Sequence, residues 1–321
     1  MRVVEQSAEI LSGLSPMEHI EKIGRICYKS EDKISIDSAR SFIKMLYKNN
    51  HHAMLEHYRF IMEVSPTIYV PISHVKHDFI EMTHENGRYI ISMSARALNN
   101  LVEDSDCEQY GIMPMTMAGI RDELIGHIVK AYDCYELFGL DRSKNILLST
   151  GIAMIPNSPD VMNQDEWLHH GWRSVIFTTD RGVTHELVRH RVASFAQEST
   201  RYCNYSNNKF DNQITVIRPC EFKQYDDDMK CETEEYGQWA RACEKAEKSY
   251  FSLLDAGVKP QFARQVLPTS TKADIVVTAN MKEWKHILEL RYYGTTGAPH
   301  PMMKELMSKI VNSDEMRYDV V

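Results

Sequence analysis

The chain has 321 residues, of which 43% are hydrophobic and 26% charged, and a formal net charge of −8. This composition is typical of a soluble globular protein, and the acidic balance argues against a dedicated nucleic-acid binder, which normally carries a basic face. The sequence predicts no membrane span, because no run of 18 apolar residues occurs. Seven scattered cysteines without a CxxC pair suit reduced thiols, so we expect a cytoplasmic protein.

Helices and strands are predicted to mix along the chain without regular βαβ order. Apolar spacing predicts two amphipathic helices in the first fifty residues and a strand at 58–64. Further helices are predicted over 120–138, over 233–256, from Asn280 and after Pro301, and further strands over 89–93, 174–179 and 274–278. No internal repeat is evident. We therefore expect an α+β fold in which an antiparallel sheet is flanked by helices.

The most informative segment covers residues 189–202. It contains three arginines, a histidine and the hydroxyls of Ser199 and Thr200 within fourteen residues. Guanidinium groups form planar, permanently charged forks that suit phosphate, and hydroxyls with nearby backbone amides can complete an anion site. Composition alone leaves two other interpretations open, a solvated charged turn and an RNA-binding segment.

The spacing within this segment resembles a family signature. Arg189-His190-Arg191, then seven residues, Ser199 and Arg201 are similar to the RHR-x7-S-x-R pattern of flavin-dependent thymidylate synthases. Three other segments resemble parts of the same family: Arg25–Tyr28, Asn50–His57 and Ala263–Pro268. The resemblance covers about residues 1–65 and 172–295. It implies a single domain of that family's fold over 1–321, with a large inserted segment of unknown role at about 76–171.

The resemblance implies an enzyme that converts dUMP to dTMP. Methylenetetrahydrofolate would donate the carbon, FAD would be tightly bound, and NADPH would be the reductant. It also implies a homotetramer with active sites shared between subunits, and no nucleic-acid or membrane partner. A flavin enzyme for another pyrimidine nucleotide, an inactive nucleotide-binding paralogue and an RNA-binding module are the alternatives.

The resemblance also assigns the site residues. Flavin contacts fall on His51, Glu56, Arg189, His190, Arg191, Asn280, Lys282 and His286. Nucleotide contacts fall on Glu186, Gln197, Glu198, Ser199, Thr200, Arg201, Arg264 and Arg291. Arg291 and Ser199 are the expected catalytic residues, the first stabilising negative charge on the uracil ring and the second positioning the substrate.

Several positions differ from the common family pattern in hydrogen-bonding groups or charge: Glu186, Ala196, Gln197, Lys282 and His286. No metal is expected: His51, His52 and His57, with His74 and His77, could form a metal site, but a zinc site also needs a defined geometry and usually cysteine or carboxylate partners.

Overall fold

The computed structural model describes residues 1–75, 79–101, 114–142, 148, 150–199, 205–206, 211–225 and 233–317. Ten strands occur in these ranges: β1 (Arg2–Val4), β2 (Ser7–Leu11), β3 (Arg59–Val64), β4 (Ile80–Glu85), β5 (Arg88–Ser94), β6 (Ile152–Met154), β7 (Trp172–Asp180), β8 (Ser194–Gln197), β9 (Thr215–Ile217) and β10 (Lys272–Asn280).

Eleven α-helices accompany the strands in the same ranges. They are α1 (Pro16–Tyr28), α2 (Ser38–Lys48), α3 (Pro66–Ser73), α4 (Ala95–Asn100), α5 (Pro114–Tyr132), α6 (Gln164–His170), α7 (Arg181–Leu187), α8 (Glu234–Asp255), α9 (Pro260–Ala263), α10 (Met281–Leu288) and α11 (Pro301–Ser308). None of the helices in the described part of the chain has the length and apolar character needed to cross a membrane.

The strands form two antiparallel sheets of four strands each. The first sheet has the order β4-β5-β3-β6 and the second the order β2-β7-β10-β8. A separate parallel pair joins β1 to β9. The expected mixture of helices and antiparallel strands is confirmed, but the described residues hold two four-stranded sheets where one sheet was expected.

The inner strand β10 of the second sheet is buried on both faces. All residues of β10 after Lys272 are buried, because helices cover both faces of the sheet. Side chains alternate across a strand, so Val276 packs with Ile23 of α1, whereas Val277 packs with Trp284 of α10 on the other face.

Helix α1 begins and ends at clear sequence signals. Ser15 and Glu18 form a capping box, Pro16 occupies the first turn, and Lys29 ends the helix in a left-handed conformation with φ 48°, a combination that fixes the helix at both ends. As a result, Tyr28 at the last turn is held in a defined position beside the second sheet.

The segment expected as an insertion contributes to the first sheet. Its residues form β4, β5 and β6. Strands β5 and β6 pair with β3, and β4 pairs with β5. The helix expected over 120–138 starts earlier, at Pro114, and ends at Tyr132.

The helix predicted from Asn280 changes type at its far end. Asn280 is the N-cap, α10 ends at Leu288, and residues Glu289–Tyr293, which include Arg291, form a wider π-helical turn. Trp284 and Ile287 of α10 are buried.

Candidate active site

A cleft of about 500 Å³ lies between the turn after α2 and strand β8. One wall is formed by Cys27, Tyr28, Arg96 and residues 50–54, and the other by Phe195, Ala196, Gln197 and Ser199. The hydroxyl of Tyr28 lies 2.5 Å from Nδ1 of His51, which fixes the imidazole at the rim. The cleft therefore combines aromatic walls with polar groups, as ligand pockets commonly do.

Three of the expected site residues meet in this cleft. His51 comes from the segment before the first sheet, whereas Gln197 and Ser199 come from the arginine-rich motif more than 140 positions later. Nε2 of Gln197 also donates to Oγ1 of Thr184 at 3.0 Å, so its amide is oriented by α7.

The cleft contains a cation that the sequence interpretation missed. Arg96, at the start of α4, lines the cleft and forms an ion pair with Glu56, while 41% of its side chain stays exposed. Glu56 therefore holds Arg96 at the cleft. No motif marked Arg96, because it lies within the segment interpreted as an insertion.

A second group of expected residues gathers around Arg291. Its Nη1 donates to Oε2 of Glu186 at 3.1 Å, and its Nε donates to Nε2 of His190 at 3.1 Å. Because Nε2 of His190 accepts, the ring proton is on Nδ1, which lies 3.3 Å from Oε1 of Glu283. The ring of His286 lies 5.9 Å from that of His190. The network holds both basic groups in fixed orientations.

Arg189 and Arg191 differ from the histidine between them. Both are exposed, whereas His190 is buried. Val188 and Val192 beside them are also exposed, at 43% and 41%. The segment therefore exposes two guanidinium groups and two apolar side chains within five residues.

Glu198 lies outside the cleft, in a buried network of ion pairs. Its carboxylate is within 3.4 Å of Lys29 and 3.2 Å of Lys272, and both lysines also pair with Asp274. Burial by itself would lower the pKa of Lys29, but the two carboxylates outweigh it and the pKa is raised. Conversely, the two lysines outweigh burial at Asp274 and lower its pKa. Glu198 is thus occupied in joining β8, β10 and α1.

The remaining expected residues occupy other surroundings. Arg264 lines a separate, open pocket of about 690 Å³ with Arg181 and His185. Asn280 is buried and caps α10, with its Oδ1 accepting from the amide of Glu283 at 2.9 Å. Nζ of Lys282 lies 3.3 Å from Nε2 of His169. Thr200 and Arg201 lie outside the described residues.

Two fully buried histidines connect the sheets. Nδ1 of His57 lies 2.7 Å from Oγ1 of Thr278, and Nδ1 of His170 lies 2.9 Å from Oγ of Ser92. Burial lowers the pKa of each imidazole to about 3, so both are neutral near pH 7. Within the described part of the chain, no group of three or more histidine, cysteine or acidic side chains is arranged to hold a metal ion.

The described residues thus form an α+β protein with two antiparallel sheets and a cleft lined by aromatic and polar side chains, among them Arg96. The family model described as thymidylate synthase complementing protein matches residues 9–153 and 167–313. The chain belongs to this family.

Named relatives agree with this membership. The chain is 35% identical over 111 residues to a flavin-dependent thymidylate synthase of Pyrococcus abyssi, which is 35% of this chain and 42% of that protein. It is 28% identical over 159 residues to the flavin-dependent thymidylate synthase of Geobacter sulfurreducens, 49% of this chain and 64% of that protein. The chain thus spans about two fifths to two thirds of these relatives.

A crystal structure of the UMP/dUMP methylase PolB from Streptomyces cacaoi with 5-Br dUMP aligns with a TM-score of 0.38 and 15% identity, covering 97% of this chain and 90% of that one.

Proposed function

We propose that this protein is a flavin-dependent thymidylate synthase, which converts dUMP to dTMP with methylenetetrahydrofolate as carbon donor. The observation that carries the proposal is the cleft in which Gln197 and Ser199 of the arginine-rich motif lie opposite His51. Family membership and the names of the relatives support the same reaction.

The residues of the cleft fit a flavin and a nucleotide. Tyr28 and Phe195 offer aromatic surfaces for planar rings, and Arg96 offers a guanidinium group for an anion. A void of about 500 Å³ is within the range of ordinary ligand pockets. We assign the flavin to His51, Glu56, the 189–191 segment, Lys282 and His286, and the nucleotide to Ser199, Gln197, Glu186, Arg201 and Arg264. FAD, when bound there, would supply the redox chemistry, with NADPH proposed as its source of electrons.

The chain's own groups would bind and orient the substrate. Ser199 donates or accepts a hydrogen bond at the nucleotide, and Gln197, oriented by Thr184, can do the same. Arg291 would face the uracil ring and stabilise the negative charge that develops there. His190 and Glu186 hold the guanidinium in place through hydrogen bonds at 3.1 Å, so little reorganisation is needed when charge develops.

Self-association would complete the site. Arg189 and Arg191 are exposed beside Val188 and Val192, and Arg264 lies in a pocket separate from the cleft. A neighbouring subunit that packs against these residues would place its own cleft beside their guanidinium groups. Each chain would then supply arginines to the site of another chain. We propose the homotetramer implied by the family resemblance for this arrangement.

Absorbance spectroscopy tests the flavin assignment directly. The purified protein, or the protein reconstituted with FAD, should show a flavin spectrum that bleaches with NADPH and shifts when dUMP is added. A colourless protein that cannot be reconstituted with FAD would contradict the proposed function. For variants that remove an arginine of the proposed site, the control is Arg317→Ala, which removes an exposed arginine paired with Asp314 at the surface.

A further inference from the structure

Three strands of each antiparallel sheet follow one topology. In the first sheet, β3 is followed by a helix, then β4, then β5, and β5 lies between β3 and β4. In the second, β7 is followed by a helix, then β8 and, after β9, α8 and α9, by β10, which lies between β7 and β8. Among these three strands, the middle one comes last in the chain in both sheets and leads directly into a helix, α4 or α10.

The strand registers make this correspondence specific. The middle strands end at Ser94 and Asn280, and each of these residues caps the following helix through its side chain. Ser94 is paired with Arg59, the first residue of β3, and Asn280 with Trp172, the first residue of β7. The two units therefore correspond position by position at this junction.

Contacts between the two units are reciprocal. His57 lies two residues before β3 and contacts Thr278, which lies two residues before the cap Asn280. His170 lies two residues before β7 and contacts Ser92, which lies two residues before the cap Ser94. A reciprocal contact, in which i meets j and j meets i, is the signature of a two-fold interface between like subunits.

The basic residues that follow the two caps correspond in the same way. Arg96, two residues after one cap, pairs with Glu56, which precedes His57. Lys282, two residues after the other cap, contacts His169, which precedes His170. The family model also matches the chain in two segments, 9–153 and 167–313, and each segment contains one of the two units.

We propose that the chain contains two copies of one structural unit, packed about a local two-fold axis, and that they build a single flavin–nucleotide site per chain. The first copy supplies Arg96, held by Glu56, as a phosphate-binding residue, and the second supplies Phe195–Ser199. The identity of the ligand in this inference rests on the proposed function. The segment at 76–171 is then part of the first copy and its connection to the second, rather than an insertion.

The first copy differs from the second at the positions that form this cleft. By strand register, Met82, Thr83 and His84 of β4 occupy the places of Phe195, Ala196 and Gln197 of β8. Counted back along the sequence from these pairs, Arg-His-Arg at 189–191 corresponds to Lys-His-Asp at 76–78, which lies outside the described residues. The first copy thus has an aspartate where the second has an arginine, and a carboxylate repels phosphate.

Binding stoichiometry tests the single site. Titration of the flavin-free protein with FAD, and separately with dUMP, in a calorimeter should give one FAD and one dUMP per chain. Two FAD molecules per chain would overturn the inference and leave the proposed function standing. A protein that binds neither ligand would overturn the proposed function and the site with it.

Variants of Arg96 test its role. Arg96→Gln should weaken binding of FAD or dUMP about tenfold or more, equivalent to about 1.4 kcal/mol, and Arg96→Lys should recover part of the loss because it keeps the charge. Arg40→Gln is the matched control, since Arg40 is 42% exposed and pairs with Asp133 at 3.0 Å. Equal affinities for the Arg96→Gln and Arg40→Gln proteins, both folded by thermal melting, would overturn the assignment. The ligand that loses affinity identifies whose phosphate Arg96 binds.

Discussion

At the scale of single residues, the site depends on how Arg291 is held. Its guanidinium donates to both Glu186 and His190, and 22% of the side chain is exposed. It is therefore anchored on one side and open on the other, which is the arrangement that a charge-stabilising group needs.

Replacing Arg291 tests that role. We expect Arg291→Ala to lower the rate of dTMP formation by about 10²-fold or more, the usual cost of losing a charge-stabilising donor, with little change in melting temperature. Arg317→Ala, which removes a surface arginine paired with Asp314 at 2.8 Å, should keep the wild-type rate. A near-normal rate for the Arg291→Ala protein would show that the role is misassigned.

The buried histidines predict how stability depends on pH. His57 and His170 have pKa values of about 3 in the folded protein, whereas the unfolded chain has the ordinary value near 6.5. Below pH 6.5 the unfolded state takes up protons that the folded state cannot. The free energy of unfolding should therefore fall as the pH decreases from about 6.5 towards 3, by up to about 1.4 kcal/mol per pH unit for each histidine.

Urea unfolding at pH 7.5, 6 and 5 measures this dependence. His57→Gln removes one titrating group, so its stability should decline less steeply than that of the wild type over the same range. Identical slopes for the two proteins would mean that His57 is protonated in the folded state.

Residue identities were more predictable from the sequence than their surroundings. The family resemblance singled out Ser199, Gln197 and His51, and these three residues line one cleft. It could not show that Glu198 is buried with Lys29 and Asp274, because these partners are remote in sequence. Arg96 was missed for the same reason, since its value depends on Glu56 and on β8.

At the scale of elements, packing between α1 and α2 positions one wall of the cleft. A Cβ atom added to Gly24 would lie 2.6 Å from the ring of Phe42, which is buried. The absence of a side chain at Gly24 thus permits the close approach of the two helices, and α1 carries Tyr28 to the cleft.

An alanine at each of two helical glycines tests this packing. Gly24→Ala should destabilise the protein by about 1–3 kcal/mol through overpacking. Gly119→Ala in α5, where an added Cβ meets no atom within 4 Å, should stabilise it by about 0.5–1 kcal/mol, because alanine is the better helix former. Urea unfolding measures both, and a Gly24→Ala protein as stable as wild type would contradict the packing account.

The longer elements were predictable from the sequence, whereas the short strands and the ends and assembly of the elements were not. Apolar periodicity indicated the strands that became β3, β5, β7 and β10, but the π-helical turn at Glu289–Tyr293 leaves no simple mark in a sequence. The division into two sheets depends on which strands pair, and apolar periodicity does not indicate the pairing partner of a strand.

At the scale of the whole molecule, the two-copy arrangement explains why one chain carries two similar sheets. The sequence nevertheless shows no evident repeat. The correspondence lies in strand order, caps and buried polar contacts, and these allow different residues, such as Ser92 and Thr278 or Arg96 and Lys282. Of the contacts described, only His57 and His170 keep the same residue in both copies.

Tritium release from dUMP labelled at C5 tests the central claim most directly. Methylation replaces the hydrogen at C5, so incubation with FAD, NADPH and methylenetetrahydrofolate should release tritium to water in the same amount as the dTMP formed. The release should require both the folate and the flavin. Full recovery of labelled dUMP by a protein that binds FAD and dUMP would contradict the proposed function.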